Sequence, residues 1–112
     1  MDLVAEPHPD ALVIRVKESR IDAAVAIQFK DRMRELTAPG PARVILDLSR
    51  VDFIDSSGLG AIVSVMKSLA PAQRLELAAL TRDVGKVFRL TRMDSVFAIH
   101  DTAPEPGVAD AP

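Results

Sequence analysis

Cysteine, tryptophan and tyrosine are all absent from this chain of 112 residues. Without cysteine, disulfides, thiol catalysis and cysteine-based zinc sites are excluded. Aromatic residues make up only 4% of the chain, and single-stranded nucleic acids need aromatic side chains on which their bases stack. Because 48% of the residues are hydrophobic, the chain can still bury the core of one domain, and we expect that core to be mainly aliphatic.

A surplus of positive charge is also missing. The chain has 14 basic and 16 acidic residues, and no basic cluster stands out, so we expect no nucleic-acid partner. The apolar runs fall well short of the ~20 residues that span a membrane, and the N-terminus lacks the basic and apolar regions of a secretion signal. We therefore predict a soluble, cytoplasmic protein that contacts no membrane.

Two kinds of hydrophobic spacing alternate along the chain. Short apolar or alternating segments predict β-strands, and apolar residues at intervals of three or four between them predict helices. The order β, β, α, β, α, β, α, β indicates βαβ crossovers and an α/β sandwich. The predicted strands are 3–5, 11–16, 43–48, 74–79 and 96–99, the last of which could instead lead into a final helix.

Local signals place the ends of the predicted helices. Asp22 is a suitable N-cap for the first helix, which Pro39-Gly40-Pro41 ends. The second helix follows the strand at 43–48, and the third lies around 83–90. Residues 103–112 are rich in proline, alanine and acids, so we predict a disordered acidic tail after a domain of residues 1–102.

The segment Val51-Asp52-Phe53-Ile54-Asp55-Ser56-Ser57-Gly58-Leu59-Gly60 lies where a buried strand ends and the second helix begins. Its serines could be simple helix caps, and its glycines simple turn residues that let other groups approach the backbone. Alternatively, a phosphate on one of the serines would lie beside unpaired helix N–H donors, a favourable place for an anion. It would also add about two negative charges next to Asp55, which would change how the surface binds a partner.

Catalysis by these serines lacks support in the sequence. A nucleophile elbow has the form Gly-x-Ser-x-Gly, but Ile54 occupies the first glycine position relative to Ser56. His8 and His100 are expected at the surface, and their spacing ties neither of them to Ser56 as a general base. A small hydrolase is therefore the weakest of the alternatives, and we expect no enzyme, metal or cofactor.

Three segments resemble a known family. Residues 44–60 are similar to the strand and the Asp-Ser-Ser/Thr-Gly-Leu-Gly phosphorylation loop of the STAS domain. Arg20-Ile21-Asp22 resembles its Gly-x-Leu/Ile-Asp segment, and residues 87–101 resemble its closing helix, turn and final strand. Over residues 11–101 the chain thus resembles STAS domains, above all the small stand-alone anti-sigma-factor antagonists of bacteria.

The resemblance implies a mixed β-sheet with helices packed mainly on one side. It also implies binding to an anti-sigma factor that is a GHKL-type serine kinase, which frees a sigma factor. Phosphorylation of the serine after the aspartate, here Ser56, would switch the antagonist off, and a PP2C-type phosphatase would reset it. The partner-binding residues that this resemblance implies are Asp22, Asp55, Ser56, Ser57, Gly58 and Leu59.

The chain departs from the family pattern at two turns. Ser19 stands where the first loop usually has glycine, and Arg92-Met93 replaces the Gly-Leu of the closing turn. Neither change touches Ser56, but the first could alter the path of the loop or the kinase that it recognises. An alternative within the same fold is a kinase-independent STAS module in a stress-signalling scaffold or a transport complex.

Overall fold

The fold is built on a five-stranded sheet, and a computed structural model describes it for residues 1–104. Within this range the chain also forms a two-stranded sheet, three α-helices and a short 3-10 turn at Met93–Ser95. The elements are β1 Leu3–Pro7, β2 Leu12–Val16, β3 Arg20–Ile21, α1 Ala26–Thr37, β4 Arg43–Asp47, β5 Phe53–Ile54, α2 Ser56–Leu69, β6 Arg74–Ala78, α3 Arg82–Leu90 and β7 Ile99–His100.

The main sheet is mixed and has the order β1-β2-β4-β6-β7. β1 and β2 pair antiparallel, as a hairpin does, whereas β4, β6 and β7 extend the sheet in parallel from β2. Parallel neighbours require crossover connections, which the three helices provide. The predicted α/β architecture with a mixed sheet is therefore confirmed.

The alternation of side chains along the strands gives the sheet two different faces. One face packs against all three helices and forms the main core. To this core α1 contributes Phe29, α2 contributes Ile62 and α3 contributes Phe88. The helices thus lie on one side of the sheet, as expected. This core is mainly aliphatic, and the sheet residues that contribute to it are Leu12, Ile14, Val16, Val44, Leu46, Leu75 and Leu77.

The opposite, helix-free face carries buried charges. Arg15 donates hydrogen bonds to Glu6 Oε2 at 2.6 Å and to Asp47, and these side chains are between 7% and 21% exposed. Ala103 packs against the small apolar cluster of this face, and the Pro104 carbonyl accepts a hydrogen bond from Arg15. Residues 103 and 104 begin the predicted disordered tail; the rest of that tail lies outside the described residues.

Two details of the secondary structure differ from the prediction. The first helix begins at Ala26 rather than after Asp22, because residues 23–25 form a turn, and its N-cap, Val25, has no capping side chain. The short strands β3 and β5 were not predicted at all. Among residues 1–104, no helix is both long and apolar enough to cross a membrane.

Candidate functional site

The unpredicted two-stranded sheet creates the candidate site. β3 and β5 run parallel, with Arg20 opposite Phe53 and Ile21 opposite Ile54. The pairing is continued at one end by a hydrogen bond of 2.8 Å from the Asp52 N–H to the Ser19 carbonyl. As a result, the loop after β3 lies beside the turn into α2, and two regions more than 30 residues apart in sequence form one surface.

Asp55 joins these two loops through its carboxylate. Oδ1 accepts a hydrogen bond of 2.8 Å from the Gly58 N–H, which caps α2, and Oδ2 accepts one of 3.2 Å from the Ala23 N–H. An N-cap carboxylate satisfies a free donor of the first helical turn and interacts favourably with the helix dipole. Both oxygens are therefore engaged in holding the site together.

Ser56 and Ser57, by contrast, are the first two residues of α2 and are exposed. Within residues 1–104, neither hydroxyl makes a hydrogen bond, so neither serine is the cap that the simplest interpretation expected. Their backbone N–H groups are also without partners in that range, as the first turn of a helix leaves them. The junction thus offers two accessible hydroxyls beside free N–H donors.

Gly58 is buried beneath the end of β3. A Cβ atom at this position would lie 1.9 Å from the Ile21 carbonyl oxygen and 3.0 Å from Ile54 Cγ1. The close approach that this glycine permits is therefore to the chain's own backbone. Gly60, in contrast, has no heavy atom within 4 Å of its Cβ position, and Leu59 packs partly against the core.

Asp22 orders the neighbouring loop instead of capping α1. Its Oδ1 accepts a hydrogen bond of 3.1 Å from the Ala24 N–H, and its carbonyl accepts one from the Val25 N–H. Its Oδ2 lies 3.2 Å from Arg20 Nε, and the side chain remains 23% exposed. Asp22 is thus close in space to the Ala23–Asp55 hydrogen bond.

The sequence did not predict one exposed contact, between an arginine and an aromatic ring. Phe53 is 41% exposed, and the Arg20 guanidinium carbon lies 4.3 Å above the centre of its ring. Such a cation–π contact fixes a flat, partly apolar surface next to the turn into α2. The sequence did contain a sign of it, because Phe53 is the only aromatic residue of the segment 51–60.

No histidine among residues 1–104 lies at this site to act as the general base of a serine nucleophile. His100 lies 2.7 Å from Glu76 on the helix-free face of the sheet, and His8 lies beside Glu6 at 3.9 Å. The expectation that His8 is a surface residue was wrong, since its side chain is only 1% exposed. Among residues 1–104, no group of three His, Asp or Glu side chains could hold a metal ion.

Comparison with known proteins agrees with this architecture. The sequence profile of the STAS domain matches residues 2–105. The chain belongs to the STAS domain family. Its resemblance to that family is thereby confirmed over nearly the whole length that the structure describes.

Several STAS proteins are similar along most of their length. "Putative anti-sigma factor antagonist BtrV" of Bordetella bronchiseptica is 32% identical over 91 residues, which cover 80% of this chain and 78% of the relative. The crystal structure of an anti-sigma factor antagonist, also described as putative, from Thermotoga maritima has a TM-score of 0.76 and 27% identity, covering 89% of this chain and 86% of its own. The structure of the anti-sigma factor antagonist SpoIIAA in its unphosphorylated form has a TM-score of 0.70 and 25% identity. The match covers 93% of this chain and 90% of SpoIIAA.

Proposed function

We propose that this STAS protein is an anti-sigma factor antagonist that binds an anti-sigma factor and is switched off by phosphorylation of Ser56. The observation that carries the proposal is the contrast within the motif. Asp55 and Gly58 are engaged in internal contacts, whereas Ser56 next to them is exposed and its hydroxyl makes no hydrogen bond within residues 1–104. The names of its relatives support the class of partner.

A kinase needs an acceptor hydroxyl that it can reach on a fixed backbone. The Ser56 hydroxyl meets both conditions, because the residue is exposed and the turn is tied to Ala23 through Asp55. Precise positioning of the acceptor is the main requirement for phosphoryl transfer, in which the protein does little covalent chemistry. The proposed partner is a GHKL-type serine kinase, and a PP2C-type phosphatase is the proposed enzyme that reverses the modification.

Phosphorylation would change the charge of a surface that is already acidic. The phosphate adds about two negative charges close to Asp52 and Asp55, and Asp22 is on the adjoining loop. The free N–H groups at the start of α2 can hold the phosphate, so the modification does not require unfolding of the helix. A partner that binds the unmodified surface would then meet a much more negative one.

The remaining parts of the proposed docking surface have separate roles. Ser57 and the Arg20–Phe53 pair are exposed and can contact the partner directly. Asp22 and Leu59 are partly exposed, whereas Gly58 supports the surface from below. This arrangement is that of a binding protein, in which the chain supplies the acceptor and the partner supplies the catalytic groups.

Phosphate mapping tests the identity of the acceptor. We expect the purified protein, incubated with its GHKL anti-sigma kinase and ATP, to carry phosphate at Ser56 when analysed by mass spectrometry. Ser56→Ala should abolish incorporation, and Ser57→Ala should keep it, because the family resemblance selects the serine directly after Asp55. Phosphate that persists in Ser56→Ala would contradict the assignment.

Partner binding tests the switch itself. Ser56→Ala should retain affinity for the anti-sigma factor, and Ser56→Asp should lower it at least about tenfold, because an acid is introduced into a contact surface. Ser64→Asp is the matched control, since it places the same charge at another exposed serine of α2. Equal affinities of the two Ser56 variants would rule out the electrostatic switch and favour the kinase-independent module.

A further inference from the structure

Helix α3 carries a basic face that the sequence did not reveal. Arg82, Lys86 and Arg89 follow one another at intervals of four and three residues, so they share one side of the helix. Arg92 comes just after the C-cap Thr91, and Asp83 is the only acid among residues 82–92. Our sequence analysis found no basic cluster because apolar residues separate these charges along the chain.

These four cations are unpaired in the part of the chain that the structure describes. Arg82, Lys86, Arg89 and Arg92 make no ion pair and no side-chain hydrogen bond there. Most other arginines behave differently, because each lies within 4.0 Å of at least one carboxylate. The arginines paired in this way are Arg15, Arg20, Arg32, Arg34, Arg43 and Arg74.

An exposed apolar side chain borders this basic face. Leu90 is 75% exposed, more than any other large hydrophobic residue in residues 1–104. The apolar side of α3, with Val84 and Phe88, is already fully buried in the core. Arg82, Lys86, Arg89 and Leu90 line one shallow groove along the outer side of the helix together with Asp83.

We propose that this face of α3 binds an acidic segment of a partner protein that places an apolar residue against Leu90. Charge complementarity supports this choice, because unpaired cations on a chain with 16 acids and 14 bases attract an acidic partner locally. Leu90 supplies an apolar contact at the edge of the charged contacts.

Two other anionic partners fit less well. Insertion into an anionic membrane requires an apolar helix face, and the apolar face of α3 is committed to the core. Nucleic-acid binding gains most of its affinity from many phosphate contacts, and only three cations line this groove, with no aromatic side chain exposed among residues 82–92. A protein segment needs only a few charges and one apolar anchor.

A defined acidic peptide tests the proposal without the kinase of the Ser56 switch. The probe is a fluorescein-labelled peptide of glutamate residues with leucine at every fourth position, and the same peptide with glutamine replacing glutamate is the uncharged control. We expect fluorescence anisotropy to show binding of the acidic probe that weakens with added salt. NMR amide shifts should move chiefly in residues 82–92 of the full chain.

Charge-matched variants locate the binding surface. The triple variant Arg82→Gln, Lys86→Gln and Arg89→Gln should weaken binding at least about tenfold, because it removes three contributions of the size of surface ion pairs. Glutamine is a good helix former, so α3 should persist, as circular dichroism will verify. The control variant removes three basic charges elsewhere, by Lys17→Gln, Lys30→Gln and Lys67→Gln, and should change affinity less than about threefold.

Several outcomes would overturn the proposal. These are equal losses of affinity in the two triple variants, equal binding of the uncharged peptide, or amide shifts that avoid α3. Stronger binding to phosphatidylglycerol vesicles or duplex DNA than to the peptide would also reject a protein segment as the ligand. None of these results bears on the proposed antagonist function, because the assay contains no kinase and leaves Ser56 unchanged.

Discussion

At the scale of single residues, Gly58 and Gly60 lie on the same helix but have opposite surroundings. The Cβ position of Gly58 is 1.9 Å from the carbonyl oxygen of Ile21, whereas that of Gly60 has no neighbour within 4 Å. Glycine is thus required at the first position to let the backbone of β3 lie against α2. At the second it lowers helix stability, and no contact within residues 1–104 requires it.

Alanine substitutions separate the two glycines. Gly58→Ala should destabilise the fold by about 1–3 kcal/mol, because a backbone carbonyl must move to admit the methyl group. Gly60→Ala should stabilise it by roughly 0.5–1 kcal/mol, the usual difference in a helix interior. Urea unfolding of both variants and of the parent protein measures the free energies of unfolding. If both substitutions changed the free energy of unfolding in the same direction, our explanation would be contradicted.

The motif residues were predictable from the sequence, but their internal contacts were not. Asp55, Ser56 and Gly58 stand out by their types and by their position at a strand end. That Asp55 also binds the Ala23 N–H, and that Ile21 covers Gly58, depends on the pairing of β3 with β5. Contacts between residues so distant in sequence leave no periodic pattern along the chain.

At the scale of elements, the long segments were predicted well and the short ones were missed. β2, β4 and β6 have five residues each, enough for consecutive or alternating apolar residues to be visible, and α1 and α2 repeat their apolar residues over three or more turns. β3 and β5 have two residues each, too few for any alternation to be visible. The turn of residues 23–25, which delays the start of α1, is held by one tertiary hydrogen bond, from the Ala23 N–H to Asp55, and by local hydrogen bonds to Asp22.

The turn after α3 contains one departure from the family pattern, and this departure has a conformational cost. Arg92 has φ 61°, in the left-handed region that residues with a Cβ atom adopt at a cost. Glycine adopts this conformation freely, and glycine is the residue that STAS domains usually have there. Arginine therefore adopts here a backbone conformation that a glycine would adopt without that cost.

We expect Arg92→Gly to raise the free energy of unfolding by roughly 0.5–1 kcal/mol. The relief of left-handed strain exceeds the entropy that glycine adds to the unfolded chain. Arg89→Gly is the control, because this position is helical and the substitution should destabilise by about 1 kcal/mol. In both thermal and urea unfolding, the midpoint should rise for Arg92→Gly and fall for Arg89→Gly. A loss of stability in Arg92→Gly would show that the arginine side chain has another role.

At the scale of the whole molecule, the main sheet separates two environments. The helix-covered face holds the continuous apolar core, and the carboxyl ends of β3 and β5 lead into the candidate switch. The helix-free face is held by ion pairs instead, at Arg15 with Glu6 and Asp47 and around Glu76 on β6. We therefore expect the pH dependence of stability to come from the helix-free face of the main sheet. The proposed switch lies elsewhere, after β3 and β5.

Glu76 is the central charge of that second face. Its side chain is 3% exposed and lies 3.1 Å from Arg43, 2.9 Å from Arg74 and 2.7 Å from His100. Burial alone raises the pKa of this carboxyl, but the hydrogen bonds from Arg43, His100 and Arg74 prevail and lower the pKa from 4.5 to about 2. The folded protein therefore holds Glu76 in its charged form more strongly than the unfolded chain does.

A carboxyl with a lowered folded pKa stabilises the fold above its unfolded pKa and loses that contribution as the pH falls. For Glu76 the loss should extend from about pH 4.5 down to about pH 2, with on the order of 2 kcal/mol gone by about pH 3.

Glu76→Gln should be less stable at neutral pH, because Arg43 then loses a buried carboxylate partner, and its stability should fall less steeply over the same range. Glu35→Gln is the control, since Glu35 is 67% exposed and should leave the pH dependence unchanged. Urea unfolding at several pH values measures all three proteins, and parallel stability curves for Glu76→Gln and the parent protein would show that Glu76 does not govern the acid sensitivity of the sheet.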